Sequence, residues 1–328
     1  MTLILISVIL LGLVFDFMNG IHDSSNVVAT MISSRAFSSR VALGVTAVAN
    51  FLGPFIFGVA VASTIGNDVV ASKSINIVVI LAALSSAILW DILTWYLGFP
   101  SSSSHALVGG IIGAVVMDAG WQAIKWNGLG KILIALFTSP IIGFVVGWIL
   151  LKLILILCWN AKPSINRWFK RSQILTGIAL ALSHGTNDAQ KTMGIITLAL
   201  VTTGYLKAFA VPIWVIILCA SMIAAGTAIG GWRLIRTLGG RMYKIRPVDG
   251  FASQLASAIV IMGASLLGGP VSTTQVVSTS IMGVGAAQRM NKVRWGVARD
   301  LAAAWLLTIP ASALVAAGLY WLLSLVIH

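Results

Sequence analysis

Apolar residues run in long blocks along this chain, at about residues 2–18, 41–64, 75–97, 105–117, 132–158, 173–183, 190–202, 211–232, 252–267, 275–287 and 301–327. Several blocks hold the roughly 20 apolar residues that a helix needs to span a bilayer, and others fall short. The short blocks flank four polar stretches, which form two matched pairs. Asn19-Gly20-Ile21-His22-Asp23-Ser24-Ser25-Asn26 aligns with His184-Gly185-Thr186-Asn187-Asp188-Ala189-Gln190-Lys191. Gly98-Phe99-Pro100-Ser101-Ser102-Ser103-Ser104-His105 aligns with Gly268-Gly269-Pro270-Val271-Ser272-Thr273-Thr274-Gln275. Pro100 follows Asp23 by 77 residues, and Pro270 follows Asp188 by 82. A polar cluster duplicated among membrane helices is the pattern of a transporter built from two repeats.

The elements predicted are those of an all-α polytopic membrane protein with two inverted-topology repeats. Each repeat is expected to hold a broken helix carrying the aspartate motif, a whole helix, a re-entrant helical hairpin tipped by the Ser/Thr motif, and a last whole helix. Interrupted helices survive at membrane depth only where their backbone is buried in protein or lines a wet cavity. Three crossings and a hairpin make an odd count, which inserts the second repeat upside down. The expected boundaries are 1–158 for the first repeat, 159–172 for a cytoplasmic linker and 173–328 for the second repeat.

Composition narrows the class. The chain is 59% hydrophobic and 9% charged, which requires lipid as solvent. A net charge of +13 would suggest nucleic acid in a soluble protein, but here it reports topology and no nucleic-acid partner is expected. The loops predicted inside are 33–40 (Arg35, Arg40), 159–172 (Lys162, Arg167, Lys170, Arg171), 233–249 (Arg233, Arg236, Arg241, Lys244, Arg246) and 288–299 (Arg289, Lys292, Arg294, Arg299). They hold fifteen basic residues, against Lys73, Lys125, Lys131 and Lys207 in the loops predicted outside. The bias places both termini on the extracellular or periplasmic side. The first apolar block lacks a basic n-region and a small-residue cleavage site, so it is expected to be a retained helix. Cys158 and Cys219 sit in apolar runs and are expected as buried filler rather than a disulfide.

The matched motifs carry the chemistry. Pro100 and Pro270 each break a helix and let another begin just after. Ser102, Ser103 and Ser104 in one copy, and Ser272, Thr273, Thr274 and Gln275 in the other, then offer neutral donors beside the unpaired N–H groups of a helix start. Two such starts facing each other make a cage for a tetrahedral oxyanion; the plainer alternative is helix capping and small-residue packing. Asp23 and Asp188 lie in apolar sequence, where a charge must be paired or hydrated. With Asn19, Asn26 and Asn187 they supply the oxygens that hard cations choose. Alternatively they carry a proton, accept the P–OH hydrogen of a phosphate, or make structural backbone contacts. Lys191 fills the slot matched by Asn26, where an ammonium balances the carboxylates, attracts the anion, replaces a bound cation, or simply pairs with Asp188. His22 neighbours Asp23 and belongs to the residue type that titrates near neutrality. Asp16 and Asp91 have no mate in the other repeat and are proton-path candidates or buried hydrogen-bonded carboxyls. His105 and His184 are expected only to hydrogen-bond at helix breaks. No Cys/His metal cluster, nucleotide loop or nucleophile–base arrangement is present in the sequence, so an enzyme, a cofactor and a resident metal are not expected.

Residues 20–26 and 185–191 resemble the duplicated Gly-Ala-Asn-Asp-Val-x-Asn signature of the PiT-type inorganic phosphate transporters. The Pro-x-Ser-Ser-Ser-His and Pro-x-Ser-Thr-Thr-Gln stretches are similar to that family's paired anion-site motifs. The resemblance spans about residues 10–290. It implies a secondary active transporter that imports inorganic phosphate by cation symport, with inverted repeats and extracellular termini. Sodium-coupled members carry Asn where this chain has His22 and Lys191, so the chain looks closer to bacterial members that couple to protons and carry metal–phosphate complexes. Sodium coupling, or sulfate as the anion, are the alternatives within the family. Expected partners are phosphate, the coupling cation (H+ or Na+) and the lipid bilayer of a prokaryotic plasma membrane, with monomer and homodimer both open.

Overall fold

A computed structural model describes residues 2–68, 76–235 and 242–326. Lys73, Arg236 and Arg241, counted above among the loop charges, lie outside the described residues. The main helices are α1 (Thr2–Ser33), α2 (Ser39–Phe57), α3 (Ala60–Asp68), α4 (Ile77–Leu97), α5 (Ser103–Ala119), α6 (Trp126–Leu157), α7 (Ile165–Thr202), α8 (Ile213–Ile229), α9 (Pro247–Leu266), α10 (Thr273–Gln288) and α11 (Trp295–Ser324). Short 3-10 turns at Trp121–Ala123 and Met290–Lys292 follow α5 and α10. Among the described residues there is no strand, and six helices (α1, α2, α4, α6, α9 and α11) are long and apolar enough to cross a membrane.

The order of elements in the first half recurs in the second. A long helix bearing an aspartate (α1, α7) leads to a helix that stops at a glycine (α2, α8). A helical hairpin follows (α4–α5, α9–α10), then a 3-10 turn and a long proline-containing helix (α6 with Pro140, α11 with Pro310). The halves are interlocked rather than side by side. α1 packs along α8 and α7 along α2, while α11 packs on α5 and α6 on α10. Each half thus completes its core with helices of the other.

The aspartate helices are not broken as expected; α1 and α7 run without interruption through both motifs. Glycine inside a helix costs only about 1 kcal/mol relative to alanine, and here the glycines serve close crossing. A Cβ on Gly20 would lie 2.3 Å from the Ile223 carbonyl oxygen, and one on Gly185 would lie 2.2 Å from that of Asn50. The apolar blocks are short there because polar residues punctuate one face of a continuous helix.

The breaks fall instead in the helices read as whole. α2 ends at Gly58 with φ 80°, and α8 ends at Gly230 with φ 81°, left-handed backbone that glycine adopts without strain. The polar groups freed at the first break are taken up by Gln190. Its Oε1 accepts from the N–H groups of Val61 (2.7 Å) and Ala62 (3.2 Å), and its Nε2 donates to Gly58 O at 2.6 Å. At the second break Ser24 Oγ accepts from Gly231 N at 2.8 Å. Within the stretch read as the linker, α7 begins at Ile165 and carries Arg167, Lys170 and Arg171 on its first turns. Cys219 is buried and Cys158, at the end of α6, is partly exposed; neither is in a disulfide.

Candidate substrate and cation site

Both hairpins turn at their proline motifs. Ser102 and Ser272 cap the arms that follow, each hydroxyl accepting from the backbone N–H three residues on, at 3.2 Å from His105 and 3.4 Å from Gln275. Such caps satisfy one of the orphan donors and leave other first-turn N–H groups of α5 and α10 for a ligand. The two tips touch. Ser104 Oγ donates to Val271 O at 3.1 Å, and the side-chain nitrogens of His105 and Gln275 stand 3.4 Å apart. His105 and Gln275 hold equivalent positions in the two motifs, so the halves meet at this contact.

The aspartates of α1 and α7 reach the same place. Asp23 Oδ1 accepts from Thr274 Oγ1 at 2.9 Å and lies 3.0 Å from His22 Nδ1. Asp188 Oδ2 accepts from Thr273 Oγ1 at 2.8 Å and lies 2.9 Å from His184 Nε2. His184 Nε2 is also 3.8 Å from Asp23 Oδ2, and Thr273 Oγ1 is 3.2 Å from that atom. His184 and Thr273 therefore bridge the two carboxylates. All of these side chains are buried, where charges persist only when paired.

Lys191 brings a cationic side chain to the same place. Its ammonium is ion-paired with Asp188, donates to Ser104 Oγ at 2.5 Å and to Val271 O at 3.1 Å. Three donors find three oxygens, so the ammonium fills a cage drawn from α7 and both tips. The matched position in the first half is different. Asn26 Nδ2 donates to Thr274 Oγ1 at 3.0 Å, and its Oδ1 has no partner. Both polar atoms of Asn19 are likewise unpartnered, and Ser103 Oγ, near Asp91, completes no hydrogen bond of ordinary geometry. Buried orphans are uncommon in folded proteins, and a bound ligand is one of the things that completes them.

Asn187 is placed differently from the cation ligand expected. Its Oδ1 accepts from Val271 N at 3.3 Å and its Nδ2 donates to Ser265 Oγ (2.8 Å) and Gly269 O (3.2 Å), so it holds the second tip in place. Asp16 accepts from Thr192 Oγ1 at 2.5 Å, and Asp91 is fully buried on α4. One contributor was given a lesser role in the sequence reading and another was missed. His184 stands one helical turn before Asp188, in the slot matched by Asn19, and that change of residue type concealed it. Thr94, within 3.5 Å of His22 Nε2 and receiving the Ser101 hydroxyl at 2.8 Å, belongs to no duplicated motif. Asp23, His184 and Asp188 bring one nitrogen and two carboxylate oxygens within 4.8 Å of one another. Their spacing of 161 and 165 residues from Asp23 hides this grouping from any local motif. Such a donor set suits a proton or a divalent cation carried with an anion.

Comparison with known proteins bears on the family and the fold. The model of the phosphate transporter family matches residues 19–166 and 158–316. A Bacillus subtilis (strain 168) protein named "Probable low-affinity inorganic phosphate transporter" is 45% identical over 325 residues, covering 98% of this chain and 97% of its own. A protein of the same name from Rhizobium meliloti (strain 1021) is 43% identical over 328 residues, covering 98% and 97%. A solved structure titled "The sodium-dependent phosphate transporter" superposes with a TM-score of 0.91 at 25% identity, covering all of both chains. The family and these relatives are transporters, not enzymes, and with six candidate spans the chain is a multi-pass membrane protein. The chain belongs to the phosphate transporter family.

Proposed function

We propose that this protein imports inorganic phosphate across a prokaryotic plasma membrane by symport with a cation, and that the cation is the proton. The carrying observation is the Lys191 ammonium, held by Asp188 and by oxygens of both hairpin tips. It stands where the first half has a neutral asparagine, so a second metal cation at that position would meet a fixed like charge. Ser103 and the first-turn N–H groups of α5 and α10 supply neutral donors to the anion, joined by Ser104, Thr273 and Thr274 when their hydroxyls turn to it from Val271 O, Asp188 and Asp23. Asp23 and Asp188 accept the hydrogen of a protonated phosphate. His22 and His184, in contact with those carboxylates, offer a route for the coupling proton.

In this reading the repeats are inverted, both termini face outside, and the buried site opens to either side in turn. A second reading has one observation in its favour. Asp23, Thr274 and the unpartnered Asn26 Oδ1 remain an oxygen set free of fixed cations, which suits sodium, and the superposed structure is named for sodium dependence. Uptake of labelled phosphate into proteoliposomes separates the two, with the pH gradient, sodium gradient and magnesium concentration varied independently. Uptake that follows an inward proton gradient without sodium supports the proton. A sodium requirement that ignores the pH gradient overturns it, and stimulation by magnesium identifies a metal–phosphate complex as the cargo.

A further inference from the structure

The base of the second hairpin, where α9 begins and α10 ends, is built of cations. A pocket of about 900 Å³ opens there, lined by Lys152 of α6, by Lys244 and Arg246 ahead of α9, by Gln288 of α10, and by Arg289 and Lys292 beyond it. The carboxylate among them is Asp249, fully buried one turn into α9. It accepts from the Arg246 backbone N–H at 3.0 Å, from Lys292 Nζ at 3.1 Å and from the Gln288 amide, and it faces Arg246 Nε at 3.6 Å. Lys292 also donates to Gln288 Oε1 at 2.7 Å and lies over the Tyr243 ring. Gln288 further accepts from the Arg246 guanidinium.

These contacts fix two cations around one acid and, among the described residues, leave the rest without a carboxylate partner. Among the described residues, no side-chain hydrogen bond or ion pair reaches Lys244 or Arg289, and Lys152 is held only by the Trp148 ring. Five cations against one carboxylate is a standing repulsion, and burial, joined by Arg246, pushes the Lys292 ammonium below its ordinary range despite Asp249. The preorganised guanidinium forks and lysines suit phosphate oxygens. The volume is in the range that holds ligands far larger than one orthophosphate ion.

We propose that this pocket binds a ligand carrying two or more phosphate groups. The ligand bridges Lys152 of α6 to Lys244 and Arg289, with Arg246 and Lys292 beside them, so it ties α6 to the base of the hairpin whose far end carries Thr273. The inference does not depend on which anion or cation the central site carries. Two sources offer the same chemistry, a soluble polyphosphate such as a nucleotide and a diphosphate lipid headgroup. Lys152 over Trp148, with exposed Leu153 and Ile156 on the same helix end, puts the pocket beside the lipid-facing surface.

Binding to the purified protein in detergent tests the site without transport as a readout. The probes are ATP, pyrophosphate and cardiolipin, each measured in moderate salt and again at high salt. At least one is expected to bind, with an affinity that falls as salt rises. Binding of ATP or pyrophosphate assigns a soluble ligand, and binding of cardiolipin alone assigns a lipid; either supports the site. Lys244→Gln with Arg289→Gln should weaken binding about tenfold or more, since two charge-assisted contacts are lost. Lys170→Gln with Arg171→Gln removes the same charge outside the pocket and should leave binding unchanged. All four residues are exposed, so the variants should elute as the wild type does. Failure of all three probes to bind, or equal weakening by both double variants, overturns the proposal.

Discussion

Thr273 has one hydroxyl proton and two carboxylates within reach, Asp188 at 2.8 Å and Asp23 at 3.2 Å, so it donates to one at a time. Under the proposed function an anion arriving with its own hydrogen relieves that shortage of donors, and Ser103, which completes no hydrogen bond of ordinary geometry, is placed to donate to it. Ser103→Ala and Thr273→Ala should each weaken phosphate binding, by about 1.5–3 kcal/mol for a lost hydrogen bond to a charged group. Equilibrium binding to the folded variants measures this, and unchanged affinity in both would return the residues to a structural role. Lys191→Asn restores the residue type of the first half. It should confer sodium dependence or uncouple uptake from the pH gradient, read in the proteoliposome assay. These positions were legible because each lies in a motif that occurs twice. His184 and Thr94 were not, because one pairs with a different residue type across the repeat and the other has no counterpart at all.

At the scale of elements, the site's geometry depends on how closely the long helices cross. Gly226 of α8 faces α1 so tightly that a Cβ would sit 2.1 Å from the Phe17 carbonyl oxygen, six residues before Asp23. Gly226→Leu must push α1 and α8 apart. It should lower the thermal stability of the purified protein, since overpacking a close contact costs roughly 1–3 kcal/mol or more; a melt followed by size-exclusion elution checks this. The break expected in α1 and α7 was read from their short apolar blocks, and the glycines there serve close crossings instead. A glycine beside a polar motif signals a helix break and a close crossing equally well, and only the neighbour's position distinguishes them. The true breaks at Gly58 and Gly230 were hidden inside apolar runs, since what stabilises them is Gln190 and Ser24 on other helices.

At the scale of the whole molecule, the apolar blocks and the duplicated motifs were enough to establish helical membrane architecture. The interlocking of α1 with α8 and α7 with α2 was not readable, because it depends on contacts between halves that no local pattern encodes. Inversion of the halves predicts sidedness. In a Cys158→Ser background, Ser38→Cys and Lys162→Cys should react with a membrane-impermeant maleimide only from the cytoplasmic side, and Lys131→Cys and Tyr205→Cys only from outside. Labelling of Lys162→Cys and Tyr205→Cys from the same side contradicts the topology. The central claim is that the anion sits where the two hairpin tips meet over Asp23 and Asp188. Diffraction at the arsenic absorption edge, from crystals grown with arsenate in place of phosphate, locates that anion directly. The account predicts one anomalous peak within hydrogen-bond reach of Ser103 and Thr273. A peak elsewhere, with the tips empty, would contradict it.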